Sequence, residues 1–332
     1  MTWQASPERG LGHEEGTVLK VIDLGLEAPA SADELAARIR RVFVEEDAQG
    51  AANYRRIFGP RWAAAMGTSL EEIDAKRKEL TEPEFMSLLA SIAEKLVVTP
   101  EAFLKGLDEA GIEWGLVHTN EIDKTAGFVR RWPERFKGMA IIDPHGGMRA
   151  VGELERAVRE LGLVAFYASP FEWKIRASDP LFYPLYAKSA ELDIPVFIYT
   201  SMNYSTELPM DIGHPVHVDQ VAMAFPELKL VADCGGWPWV PEMIGVARRH
   251  KNVYIDTSSH RPRHLATPGS GWEMLLQFGN TLLQDQVVFA SGASDLGLPL
   301  DLIVEEMESL PLKDKVKEKW LYQNALRLFN LE

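Results

Sequence analysis

Three observations predict a closed (β/α)8 barrel, a TIM barrel with a helical insertion after strand one. Eight short apolar runs rich in β-branched residues recur along the chain. Helical stretches separate them, as crossovers separate parallel strands. No second domain stands out within the 332 residues, so residues 1–332 read as one barrel domain. The repeating unit is plainest at Leu228–Val240, LKLVADCGGWPWV, where an apolar run closes on an acid, a thiol and two glycines. That pattern is a buried parallel strand with an exposed C-terminal end. Residues 240–250 then read as helix and Asn252–Asp256 as the next strand. An open doubly wound sheet is the alternative, but no G-x-G-x-x-G follows strand one.

In order, Met1–Gly16 is polar and reads as a surface arm, and Thr17–Leu24 as strand one. Pro29 and Pro60 bracket a helical stretch. Ser31 starts a helix as N-cap, with Glu34 three residues on completing a capping box. Residues 33–98 are helical and charged, far too long for a βα loop, and read as an insertion over the barrel mouth. Within it Arg55, Arg56, Arg61 and Trp62 are weighed as solvated helix surface ahead of a substrate lid. Thr99 caps the next helix and Pro100 takes its first position. Ile112–His118 is strand two, Ala126–Trp132 helix, and Gly138–Asp143 strand three. Met148–Leu161 is an amphipathic helix with Val151, Leu154, Val158 and Leu161 on one face. Gly162–Tyr167 is strand four, Pro180–Leu192 helix, Ile194–Tyr199 strand five and Val216–Phe225 helix. After strands six and seven, a helix begins at Trp272–Gln277. Gln286–Ala290 is strand eight, and a last helix runs from Lys313 to Phe329.

The bulk numbers narrow the function classes. Hydrophobic content of 46% with 25% charged residues suits a soluble globular protein. A net charge of −14 argues against nucleic acid and anionic membrane as partners and leaves a small-molecule substrate. The single cysteine, Cys234, can form no intrachain disulfide, which suits a reducing cytoplasm. The N-terminus lacks a signal-peptide pattern, and no apolar run approaches the ~20 residues a bilayer span takes.

Chemistry in such a barrel sits at the C-terminal ends of the strands. Reading those ends gives Glu27, His118, Asp143, His145, Tyr167, Tyr199, Asp233, Asp256, His260 and Asp295. So many titratable groups on one face favour an active site. Asp295 stands out, because the small residues Ser291-Gly292-Ala293-Ser294 before it let a substrate approach. A carboxylate in a closed pocket, with its pKa pushed by desolvation, suits a general base acting on water. Cys234 reads as core more readily than as nucleophile. Trp237-Pro238-Trp239 reads equally as core packing or as a flat wall for a planar substrate.

Several segments resemble the amidohydrolase superfamily, in particular its branch of aminocarboxymuconate semialdehyde and resorcylate-type decarboxylases. They are Phe225–Ile244, NVYIDTSSHRP at Asn252–Pro262, VVFASGASD at Val287–Asp295 and NALRLFNL at Asn324–Leu331, with Pro133–Pro144 and Asp179–Tyr199 also similar. The likeness spans nearly all of the chain except the insertion. It implies a metal bound by a His-x-His after strand one, histidines ending strands five and six, and an aspartate after strand eight. Here those positions hold Gly25 and Glu27, Tyr199, Asp233 and Asp295, so only the aspartate is kept. The resemblance then implies a metal-independent hydrolase of a lactone, an ester or an activated C–C bond. Asp295 would be the base, Tyr199 a hydrogen-bond donor, and His118, His260, Asp233 and Glu27 further catalytic candidates. Tyr167, Lys174, Trp237, Trp239 and Arg261 would line the substrate. The alternatives are a non-oxidative decarboxylase or related lyase on an aromatic or unsaturated acid, and an inactive relative serving as a binding protein. No cofactor is expected; the alternative is one divalent ion, manganese or zinc, held by Glu27, Asp233 and Asp295. By analogy with the family a homodimer is expected.

Overall fold

The computed structural model describes residues 19–43 and 49–331, and side chains of 19–40 and 53–331. The expected arm at 1–16 and the first residues of the expected strand one lie outside them. Strands β1 (Val21–Glu27), β2 (Ile112–His118), β3 (Phe136–Ile141), β4 (Ala165–Ala168), β5 (Val196–Tyr199), β6 (Leu230–Asp233) and β7 (Val253–Ile255) form one parallel sheet in chain order. The expected eighth strand is not a full ladder; Val287 makes an isolated parallel bridge to Ile255. The segment still closes the barrel through its backbone. Ile255 N–H donates to Gln286 O at 2.8 Å and Val288 N–H to Ile255 O at 2.9 Å. On the other edge Leu24 N–H donates to Phe289 O at 3.0 Å and Gly292 N–H to Gly25 O at 3.1 Å. Both edges of the sheet are thereby satisfied, which a parallel sheet cannot leave open without cost.

Side chains alternate across each strand. One set fills the barrel: Ile22, Leu24, Trp114, Leu116, Met139, Ala165, Phe197, Val231, Tyr254 and Val288, floored by Ala325 and Leu328 of the last helix. The other set packs against the outer helices. The last helix is continuous but includes a π turn at Lys319–Gln323.

The insertion folds as four helices, α1 (Ala32–Phe43), α2 (Gln49–Ala65), α3 (Leu70–Glu79) and α4 (Glu82–Leu96), around Ile39, Ala63, Ile73, Phe85, Leu89, Ala93 and Leu96. The capping box at Ser31 forms: Ser31 N–H donates to Glu34 Oε2 at 2.8 Å, and Glu34 N–H to Ser31 Oγ at 3.3 Å. Thr99 caps Ala102 N–H at 3.1 Å. Pro60 does not bound a helix; it lies within α2. Tyr54, Phe58 and Trp62 recur every four residues along α2, so they share one face. Tyr54 and Phe58 both meet the Tyr204 ring, at 5.7 and 5.4 Å. Asn53 Nδ2 donates to Tyr204 O at 3.2 Å. Since Tyr204 follows β5, α2 is tied to the C-terminal side of the barrel.

Candidate active site

Strand register brings the predicted residues together. Glu27 pairs with His118 and Tyr199 with Asp233, so each pair shares the inward face. Tyr167 and Asp256 continue the same alternation from the interior residues Ala165 and Tyr254.

Asp233 is the hub. Its Oδ2 accepts the Tyr167 hydroxyl at 2.7 Å and its Oδ1 accepts Ser258 Oγ at 2.5 Å. Burial and the Asp233 charge hold the Tyr167 phenol well above its ordinary pKa, so it stays a donor. Its ring stacks on His118, centroids 6.1 Å apart. Burial lowers the His118 pKa, and its Nδ1 is enclosed without a partner among the described residues. Asp256, buried, accepts Cys234 N–H at 3.0 Å and Ser258 N–H at 2.9 Å at Oδ1, which also lies 2.7 Å from Ser258 Oγ, a hydroxyl whose one hydrogen can serve either carboxylate; among the described residues its Oδ2 has no partner. Burial and the neighbouring Asp233 push its carboxyl well up. Cys234 is buried against Ser258, as the core reading expects.

Asp295 is exposed at the mouth yet ringed by protein. Burial, then the Glu27 and Asp233 charges, push its carboxyl up to about 6 against the hydrogen bond from Ser259 Oγ at 2.7 Å. The Arg61 guanidinium of α2 is near enough for its charge to draw the value back down. Glu27 goes the other way. Burial raises its carboxyl, but the Arg38 guanidinium at 2.7 Å, with the His118 ring and Ser294, brings it below the ordinary value. His260 donates Nδ1–H to Ser258 O at 3.0 Å, which fixes the tautomer with Nε2 as the lone-pair nitrogen. Burial lowers its pKa, and its ring meets Trp272 at 4.9 Å and Trp237 at 5.8 Å.

Other expected positions differ. Arg261 is not a substrate anchor, because its guanidinium is held by both oxygens of Glu306, with Nε at 2.8 and 3.0 Å. Lys174 is exposed, with a left-handed backbone after the short helix Pro170–Trp173, and makes no described contact with the hub. Trp239 meets the His214 ring at 4.7 Å with the planes tilted by 52°. Tyr199 donates its hydroxyl to Met202 O at 2.9 Å, so it serves a loop rather than a free acceptor. Asp143 and His145 bond each other at 2.8 Å on the exposed rim. Four residues enter that were not anticipated. Ser258 and Ser259 stand in the Thr257–His260 run, Asp23 Oδ1 pins the N–H of Gly25 and Ser291 at 2.9 Å each, and Tyr54 docks α2.

The comparisons fit this geometry. Over 175 residues the chain is 27% identical to a 2-keto-4-carboxy-3-hexenedioate hydratase from a Sphingobium strain, covering 46% of this chain and 50% of that one. Over 98 residues it is 30% identical to a gamma-resorcylate decarboxylase from a Polaromonas strain, covering 28% and 30%. The matched part is thus half or less of these curated relatives. An uncharacterised TIM-barrel protein from Bordetella bronchiseptica superposes with TM-score 0.67 at 24% identity, over 94% of this chain and 99% of that one. A 5-carboxyvanillate decarboxylase from Novosphingobium aromaticivorans, crystallised with manganese, gives 0.63 at 16% identity, over 98% and 100%.

The residues here do not fit such an ion. Among the described residues no three His, Cys, Asp or Glu side chains, Glu27, Asp233 and Asp295 included, are grouped as this structure stands so that they could hold a metal ion. Glu27 is spent on Arg38, and Asp233 on Tyr167 and Ser258. A side chain at Gly25 has no room, since its Cβ would lie 2.9 Å from that of Ala290. No helix among the described residues is long and apolar enough to cross a membrane. The barrel with its ring of inward acids and the match of the amidohydrolase profile to residues 97–331 lead to one assignment: the chain belongs to the amidohydrolase family.

Proposed function

We propose that this chain is a lyase on a small unsaturated or aromatic carboxylic acid, exchanging a proton at carbon through Asp295 without a resident metal. The observation that carries this reading is the Asp295 carboxyl, held at about 6 at an open mouth and within reach of the Arg61 charge. A group poised near neutrality is matched to general acid–base work. Among the described residues Arg61 has no ion-pair partner and lies over the Phe58 ring at 5.5 Å, which leaves its guanidinium available to a substrate carboxylate. The stacked His118 and Tyr167 rings give a planar substrate a wall. Both curated relatives are named for lyase-type reactions on unsaturated or aromatic acids, which favours this reading over hydrolysis. The hydrolytic reading keeps one observation in its favour: ionised Asp295 is open to water and can take a proton from it.

The test is a panel of small unsaturated and aromatic acids beside lactones and esters, scored by product mass for loss of carbon dioxide, for hydration and for hydrolysis. Turnover of acids is expected. Asp295→Asn should lower it by about 10²–10⁴-fold, and Arg61→Met should raise KM more than it lowers kcat. Turnover confined to lactones or esters would overturn the lyase reading.

A further inference from the structure

We infer that a second copy of this chain docks on the outer face of two neighbouring helices, α5 (Pro215–Ala224) and α6 (Val240–Arg249). Both turn one side to the barrel, where Val218, Val221, Met243 and Ile244 join the outer core. On the solvent side a groove of about 330 Å³ runs between them. It is bordered by Val216 and Asp219 of α5 and by Glu242, Gly245 and Arg249 of α6. Val216 and Met223 stand seven residues apart, about two turns, and so share the outward face of α5. Both are exposed, Met223 by 61%, and Met210 just before the helix is exposed by 56%. Met223 borders the same groove, its Sδ 3.9 Å from Arg249 Nη2. Large apolar side chains gathered in solvent mark a surface that another molecule covers.

The charges on α6 say what that molecule is. Glu242, Gly245 and Arg249 form one outward stripe, spaced by three and four residues. The midpoint of Glu242 and Arg249 falls between Gly245 and Val246, and each charge lies about 5 Å along the helix from it. A second α6, turned antiparallel about a two-fold axis through that midpoint, sets the Glu242 of each copy against the Arg249 of the other. The stripe is therefore complementary to itself, as an isologous interface requires. The two helix dipoles oppose in the same arrangement, which is also favourable. At the axis Gly245 is exposed, and a Cβ there would meet nothing within 4 Å, so bare backbone lets the copies approach closely. Glu242 has no ion-pair partner among the described residues. Arg249 gives Nη1 to Asp219 Oδ2 at 3.1 Å and, with five donors, keeps others for a second carboxylate. A partner of one charge sign would match only half of the stripe, whereas a second copy matches all of it.

The experiment is sedimentation velocity of the whole protein across the micromolar range. A dimer is expected, and a single chain at every concentration overturns the proposal. Glu242→Arg brings like charges together at Arg249 of the second copy, and Arg249→Glu does so at Glu242. Each should raise the dissociation constant by about a hundredfold, about tenfold for each of the two clashes the axis creates. Mixed in equal amounts, the two variants should pair with each other, because every contact across the axis is then opposite in sign. Recovery on mixing also shows that both variants fold. Dimers that persist in both variants alone place the contact elsewhere and overturn the proposal. Gly245→Glu, at a position with open space above it, should abolish the dimer and leave the circular dichroism unchanged. A dimer that survives this change with wild-type affinity overturns the proposal as well. None of these readouts involves turnover, so the docking face can fail while the lyase reading stands, and the reverse.

Discussion

Burial and two carboxylate neighbours delay the ionisation of Asp295, normally near 3.9, to about 6. Ionising it costs more in the folded than in the unfolded chain. Stability from this group is therefore fully present below about 4, is lost as pH rises to about 6, and stays lost above that. Asp295→Asn removes the cost. It should raise the unfolding midpoint near pH 8 and change it little near pH 4, as calorimetry would show; equal shifts at both would contradict the raised value. Water at the open mouth screens the charges, so the gain is small. The rate carries the same mark. If Asp295 protonates carbon, kcat/KM falls as pH rises through about 6; if it activates water, kcat/KM rises there. One pH profile thus separates the lyase from the hydrolase.

At the scale of elements, the seam between β1 and the closing segment is tightest at Gly25. The alanine methyl at this position would sit 2.9 Å from the Ala290 Cβ and 3.3 Å from Gly292 N. Gly25→Ala should cost about 1–3 kcal/mol of stability, the usual penalty of overpacking. A urea midpoint unchanged from wild type would mean the seam gives way freely. This seam also explains what the sequence could convey. The strands were legible because each is an apolar run buried on both faces, and β2 falls at Ile112–His118 as expected. The closing segment was legible as apolar, but its bonding is split between two neighbours, which no local pattern encodes. At the site, reading the strand ends named Glu27, Tyr167, Asp233 and Asp256, and period-two alternation turns all four side chains inward. Ser258 was not named, because a serine in a TSSH run has the composition of a turn and its meaning lies in contacts 25 residues away. Arg261 and Lys174 were misplaced for the converse reason: a cation looks the same in sequence whether it meets a substrate, Glu306 or water.

In the whole molecule the insertion and the barrel have separate cores. The insertion packs around Ala63, Phe85 and Leu89, whereas the barrel packs around Ile22, Trp114 and Phe197. The described polar ties between them include Arg38 to Glu27, Lys124 to Glu34 at 3.1 Å, and Asn53 and Tyr54 to Tyr204. A unit with its own core and few ties opens at a lower free energy than the barrel that holds it. Amides of α1–α4 should therefore exchange with deuterium faster than those of β2 and β5, in a cooperative block. The block includes Arg61, whose charge is felt at Asp295. A small carboxylic acid held between Arg61 and the barrel would bind only the closed arrangement, stabilising it by RT ln(1 + [L]/Kd), about 2.7 kcal/mol at one hundred times Kd. Exchange across the whole insertion should then slow by about a hundredfold, while exchange in β2 and β5 changes less. In Arg61→Met that protection should vanish, whereas the faster exchange of the free insertion remains. Uniform protection of barrel and insertion alike would mean that the insertion is part of one rigid wall, and that Arg61 binds its ligand without any closing motion.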